Sequence, residues 1–108
     1  MTDALEVDLD TFAAAHGADA AVVNVRNPDE YEAGHVSGAK LIPLPELGQR
    51  VDDLPPGRPL YIICAAGGRS MTATVALVEA GFDAVSVAGG TKGWIASGRG
   101  VVTGPNER

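Results

Sequence analysis

The chain has a single cysteine among 108 residues. One thiol cannot close an intrachain disulfide, which excludes a stapled secreted scaffold and a dithiol relay within one chain. Aromatic residues are scarce at 5%, which favours close packing of helices on a sheet over an aromatic-rich sandwich. Positive charge is short as well. Eight Lys and Arg face fourteen Asp and Glu, a formal net charge of −6, and no basic run interrupts that balance. Such a surface repels nucleic acid and anionic membrane, so neither is an expected partner. No apolar run approaches the length of a membrane span. Met1–Glu6 carries acids where a signal peptide would carry bases, and no apolar stretch follows. The expectation is a soluble, cytoplasmic, reduced protein. The two histidines, His16 and His35, stand alone, and no Cys/His cluster has zinc-ligand spacing.

What is present is a regular alternation of short apolar runs and alanine-rich amphipathic stretches. Apolar residues make up 45% of the chain, enough for the core of one domain. That domain is expected over residues 1–100, with residues 101–108 as a flexible C-terminal tail. The apolar runs Leu5–Val7, Ala20–Val25, Lys40–Ile42, Leu60–Ile63 and Ala84–Val87 predict five strands. Helices are predicted over Thr11–Ala15, capped by Asp8 or Asp10, and after Asn27, with Pro28 in its first turn and Gly34 as its stop. Further helices are predicted over Pro45–Val51, Arg69–Ala80 and Lys92–Ala96. Strands that alternate with helices need crossover connections, so the fold class is α/β with a five-stranded, mainly parallel sheet and helices on both faces. Ala21–Val25 and Leu60–Ile63 lack polar alternation, as strands covered on both faces should. Ligands in such folds bind beyond the carboxyl ends of the strands.

Cys64 sits at such an end. It follows Leu60–Ile63 and opens the run Cys64-Ala65-Ala66-Gly67-Gly68-Arg69-Ser70 before a helix. A lone cysteine at a strand end is ordinarily a small buried hydrophobe. Here two glycines allow the backbone to curl, and an arginine and a serine follow, none of which a structural cysteine needs. A curl leading into a helix aims N–H groups at one point, where they can hold a thiolate and an anionic substrate. A thiol of pKa ~8.5 is only ~3% ionised at pH 7, whereas one of ~6.5 is ~75% ionised. Lower nucleophilicity returns about 6- to 10-fold of that ~25-fold gain. The larger service of the amides is therefore to hold charge as it develops during attack.

Three motifs in order resemble the single-domain rhodanese-like sulfurtransferase family. They are Asn24-Val25-Arg26 with Glu30-Tyr31 and Gly34-His35-Val36-Ser37-Gly38-Ala39, then Cys64 to Arg69 with Ser70, then Gly89-Gly90-Thr91-Lys92-Gly93-Trp94. The resemblance covers nearly all of the chain from about Val7 to Trp94. It implies transfer of a sulfane sulfur from a donor such as thiosulfate to a thiol or cyanide through a Cys64 persulfide, with no cofactor and no metal. Ala65, Ala66, Gly67, Gly68, Arg69 and Ser70 would bind the donor, and a sulfur-accepting protein is an expected partner beside the small molecules. Related cell-cycle phosphatases have a loop one residue longer. The tyrosine-phosphatase pattern places arginine where Ser70 stands here, so phosphatase or arsenate reductase chemistry is disfavoured. A non-catalytic or regulatory binding module is the alternative from another class.

Two departures from the family pattern bear on function. Asn24 stands where the family usually has aspartate, which keeps hydrogen bonding and loses charge. Ala65 and Ala66 leave the loop sparsely cationic, which suits a donor of low charge or a protein partner better than a small dianion. Other residues read as structural. Arg26 is expected to pair with Glu30 or Asp29, His35 to be a hydrogen-bonded turn residue, and Trp94 to cover the core near the last helix. Asp52-Asp53 reads as a solvated turn, and Arg58 and Arg99 as surface charges.

Overall fold

The computed structural model describes residues 5–108; the first four residues of the expected domain lie outside it. Five strands form one sheet: β1 (Glu6–Val7), β2 (Val22–Asn24), β3 (Lys40–Leu41), β4 (Leu60–Ile63) and β5 (Ala84–Val87). Their order is β1-β5-β4-β2-β3, and every pairing is parallel. The central strand β4 pairs with β2 through Val23↔Ile62 and with β5 through Tyr61↔Val85. Four α-helices make the crossovers: α1 (Leu9–Gly17), α2 (Pro28–Ala33), α3 (Gly68–Glu79) and α4 (Gly90–Ala96).

Local chemistry accounts for these boundaries. Asp8 caps α1 by accepting the Thr11 N–H at 2.7 Å. The helix begins at Leu9, ahead of the expected Thr11, and ends at Gly17, the glycine that the sequence offers as its stop. Pro28 opens α2, and Glu30 reaches back to accept the Asn27 N–H at 3.0 Å. The helix predicted over Pro45–Val51 is instead two 3₁₀ segments, Leu44–Gln49 and Val51–Asp53. Pro43, Pro45 and Gly48 lower the helical propensity there, and short i→i+3 turns suffice to bring Leu47 into the core. Asp53 in the second segment is tied to Arg50 at 2.9 Å.

The strands divide the core by their two-residue period. Val23, Val25, Leu60, Ile62 and Cys64 face α3, where they meet Ala73 and Leu77. Val22, Ile63 and Val87 face the other way, toward Phe12, Tyr31 and Trp94. Trp94 is in that core, edge-on to Phe12 with ring centroids 5.3 Å apart, and its Nε1–H donates to Gly100 O. The segment expected as a flexible tail passes beside His35. His35 and Val102 exchange both backbone hydrogen bonds at 2.9 Å, and Gly38 N–H donates to Glu107 O at 2.7 Å. Among the described residues no helix is long and apolar enough to cross a membrane.

Candidate active site

The parallel sheet brings the carboxyl ends of β2, β4 and β5 together, and Cys64 lies at the end of the central one. Its residue is only 1% exposed. Burial is the largest influence on its thiol and pushes the pKa up. Hydrogen bonds from the Ser70 hydroxyl and from the N–H groups of Ser70, Gly67 and Ala66 outweigh it, leaving the thiol below its ordinary value. Gly67 N–H reaches Sγ at 3.1 Å, and Ser70 Oγ lies 3.4 Å away. Gly67 is the N-cap of α3 with φ of +119°, a left-handed conformation that turns its N–H inward. The backbone curl expected from the two glycines is thus made at Gly67, while Gly68 is already the first residue of α3.

Ser70 is fully buried and has several competing partners. Its hydroxyl lies 3.1 Å from Gly67 O and 2.8 Å from Ser86 Oγ. One O–H cannot serve all of them at once. When Cys64 is protonated, the thiol donates to Ser70 Oγ. When it is ionised, Ser70 turns its proton to the sulfur and Ser86 can donate to Ser70. Ser86 is buried on β5, and sequence reasoning missed it. The available signal was a lone hydroxyl inside the apolar strand Ala84–Val87.

The loop's carbonyl side is held by the first turn of α4. Thr91 N–H donates to Cys64 O at 2.8 Å and Lys92 N–H to Ala65 O at 2.9 Å. This approach requires glycine at position 90. A Cβ there would lie 2.6 Å from Cys64 O and 2.7 Å from the Ala65 carbonyl carbon and oxygen, and φ is +57°. The third motif therefore acts on the site through backbone contact, with Ala65 half-buried beneath it and Ala66 exposed.

Arg69 is turned to a neighbour. Its guanidinium makes a two-point pair with Glu30 on α2, Nη1 to Oε1 at 2.7 Å and Nη2 to Oε2 at 2.9 Å. That fork, with the Asn27 N–H behind it, holds the Glu30 carboxyl down to about 2. The expected pairing of Arg26 with Glu30 or Asp29 is therefore corrected. Arg26 is buried and donates from Nε to Asn24 Oδ1 at 3.2 Å and from Nη2 to Gly34 O at 2.6 Å. Burial lowers its pKa, against the pull of Glu30. Asn24 Oδ1 also accepts the Arg26 N–H at 3.0 Å, while its Nδ2 is buried without a partner. An aspartate would present acceptors at both positions; asparagine serves only one side.

The histidines are engaged elsewhere. His35 is buried, stacked on Tyr31 at 3.6 Å, with ring nitrogens 2.7 Å from Tyr31 O and 2.8 Å from Asn106 O. His16 Nε2 lies 2.8 Å from Ser37 O. Sγ is therefore met by hydroxyl and amide donors rather than by imidazole. Among the described residues no group of three or more His, Cys, Asp or Glu forms a potential metal site.

The fold and the site place the chain in the class of parallel α/β proteins that carry a cysteine-started loop between a strand end and a helix N-terminus. Within that class the chain belongs to the rhodanese-like domain family, whose model matches residues 8–97. It is 37% identical over 76 residues to the YqhL protein of Bacillus subtilis (strain 168), covering 69% of this chain and 60% of YqhL. It is 38% identical over 91 residues to the thiosulfate sulfurtransferase PspE of Escherichia coli (strain K12), covering 82% and 83%. The structure of a rhodanese-related protein from Thermoplasma volcanium superposes with a TM-score of 0.83 at 31% identity, covering 90% of this chain and 96% of that one.

Proposed function

We propose that the protein is a sulfurtransferase in which Cys64 carries the sulfur as a persulfide. The observation that carries this reading is Sγ under the Gly67 N–H at 3.1 Å, with a pKa below the ordinary thiol value. The Cys64 thiolate attacks the outer sulfur of a donor such as thiosulfate. A new S–S bond forms as the donor's own breaks, and sulfite leaves with the electron pair. A thiol or cyanide then attacks the outer persulfide sulfur and carries it off, and Cys64 returns as the thiolate. Charge is conserved in each step, and no oxidant is needed. The donors around Sγ stabilise the anion at every stage, which a fixed ring of dipoles does without reorganising. Support for the reading comes from membership of the rhodanese-like family and from likeness to PspE. Such chemistry needs a free thiol, which points to a reducing compartment such as the cytoplasm.

The test is thiosulfate:cyanide sulfur transfer by wild type and Cys64→Ser, with intact-mass detection of one added sulfur atom. Wild type should gain the sulfur and turn over; Cys64→Ser should do neither. If no donor loads Cys64, the sulfurtransferase reading fails. The second reading, a binding module, is favoured by an apolar groove of about 300 Å³ between the first 3₁₀ segment and α3, lined by Leu44, Leu47, Val51 and Ala76. It predicts an inert Cys64 whose replacement leaves partner binding unchanged.

A further inference from the structure

The charges around Cys64 are nearly self-cancelling. Two guanidinium groups, Arg26 and Arg69, face the Glu30 carboxylate and the Cys64 thiolate, a sum of zero once the thiol ionises. Neither arginine is free. Arg26 is 6% exposed and its Nε and Nη2 are committed to Asn24 Oδ1 and Gly34 O. Arg69 is the loop's own cation and the more accessible of the two, and both ends of its fork are taken by Glu30. Lys92 is exposed beside the loop, but a lysine is a hydrated point charge on a flexible stem, not a preformed anion fork.

From this we infer that Glu30 is a specificity-determining residue for the sulfur donor. By holding Arg69 in a two-point pair, it removes the loop's cation from the donor's reach and selects against doubly charged donors in favour of those of lower charge. The inference deepens the sulfurtransferase reading and rests on it for the word donor. The masking of Arg69 can be tested without turnover. A dianion arriving at a site of net zero charge meets no compensating group, whereas one arriving beside a released guanidinium meets a fork matched to its oxygens. A singly charged donor feels about half that difference.

The experiment measures protection of Cys64 from iodoacetamide by inorganic sulfate, each variant referred to its own rate without sulfate. Glu30→Gln is isosteric and keeps the oxygen that accepts the Asn27 N–H, so the start of α2 is retained. The half-protecting sulfate concentration should fall about three- to tenfold in Glu30→Gln. It should fall in Arg69→Lys also, where the charge stays but the two-point pair is lost. It should return toward wild type in Glu30→Gln/Arg69→Gln. Equal protection in wild type, Glu30→Gln and Arg69→Lys overturns the proposal. In turnover, kcat/KM for thiosulfate relative to the monoanion benzenethiosulfonate should rise in Glu30→Gln, chiefly through KM. A parallel fall for both donors overturns the specificity role. If wild type turns over neither donor, the sulfurtransferase reading fails while the sulfate measurement still decides whether Glu30 masks Arg69.

Discussion

At the scale of single residues, the Ser70 hydroxyl favours the Cys64 thiolate alongside the loop amides. Ser70 is the largest stabilising influence on the thiolate, opposing the burial that raises the pKa. Ser86, 2.8 Å behind it, lets Ser70 give its proton to sulfur without leaving its own oxygen unpaired. Thiol alkylation followed against pH should give a wild-type midpoint below that of free cysteine. In Ser70→Ala the midpoint should move up by roughly half to one unit, since a hydrogen bond to a charged group contributes about 1.5 kcal/mol and one unit is about 1.4 kcal/mol. Ser86→Ala should move it in the same direction by less. An unchanged midpoint in Ser70→Ala would show that the amides alone hold the thiolate. Cys64 and Ser70 were legible in sequence because loop and helix start are contiguous. Ser86 and the pairing of Glu30 with Arg69 were not, because they reach the site from β5 and α2 through contacts that no local pattern encodes.

At the scale of elements, the first turn of α4 works as a splint for the cysteine loop. Glycines 89 and 90 both have positive φ, and Gly90 lies against the Cys64 and Ala65 carbonyls with no room for a side chain. Gly90→Ala must push the turn and loop apart and break the Thr91 and Lys92 N–H contacts to Cys64 and Ala65. Destabilisation should exceed about 1 kcal/mol, the usual cost where a side chain meets an incompatible φ, and Cys64 alkylation should lose its low-pH midpoint. Gly98→Ala is the control, with positive φ but open space around it: it should lower stability and leave the Cys64 midpoint in place. Equal midpoints in wild type and Gly90→Ala would refute the splint. The same contrast explains what could be read at this scale. A helix with a cap and a clear stop, such as α2 between Asn27 and Gly34, was visible in sequence. The 3₁₀ segments were not, because the leucine spacing across Leu44–Gln49 fits either helix type. Strand order was unreadable too, since β4 is central by virtue of crossovers, not of anything in Leu60–Ile63 beyond its apolarity.

At the scale of the whole molecule, the Glu30–Arg69 pair joins α2 to α3 across the carboxyl end of the sheet, so its protonation couples site charge to stability. The folded-state pKa of Glu30, about 2, is depressed below the ordinary carboxylate value, first by the Arg69 fork and then by the Asn27 N–H. A depressed carboxyl stabilises the fold fully above its ordinary pKa, and that contribution is lost as pH falls through the folded value. The window is therefore from about pH 5 down to about pH 2. Both partners are about one-third exposed, at 36% and 32% of their side chains, so water screens the pair and its contribution is at most about 1 kcal/mol. For a domain of this size that corresponds to roughly 4 °C in Tm. Wild type should melt a few degrees above Glu30→Gln near neutral pH in low salt, and the gap should close as pH approaches 2. Added salt should narrow it at neutral pH, as screening of a surface pair requires. No gap near neutral pH, or one that stays constant across pH, would mean that the Glu30 charge does not stabilise the fold through Arg69. In that case the masking of Arg69 would lose its electrostatic basis, although the sulfur chemistry of Cys64 would not.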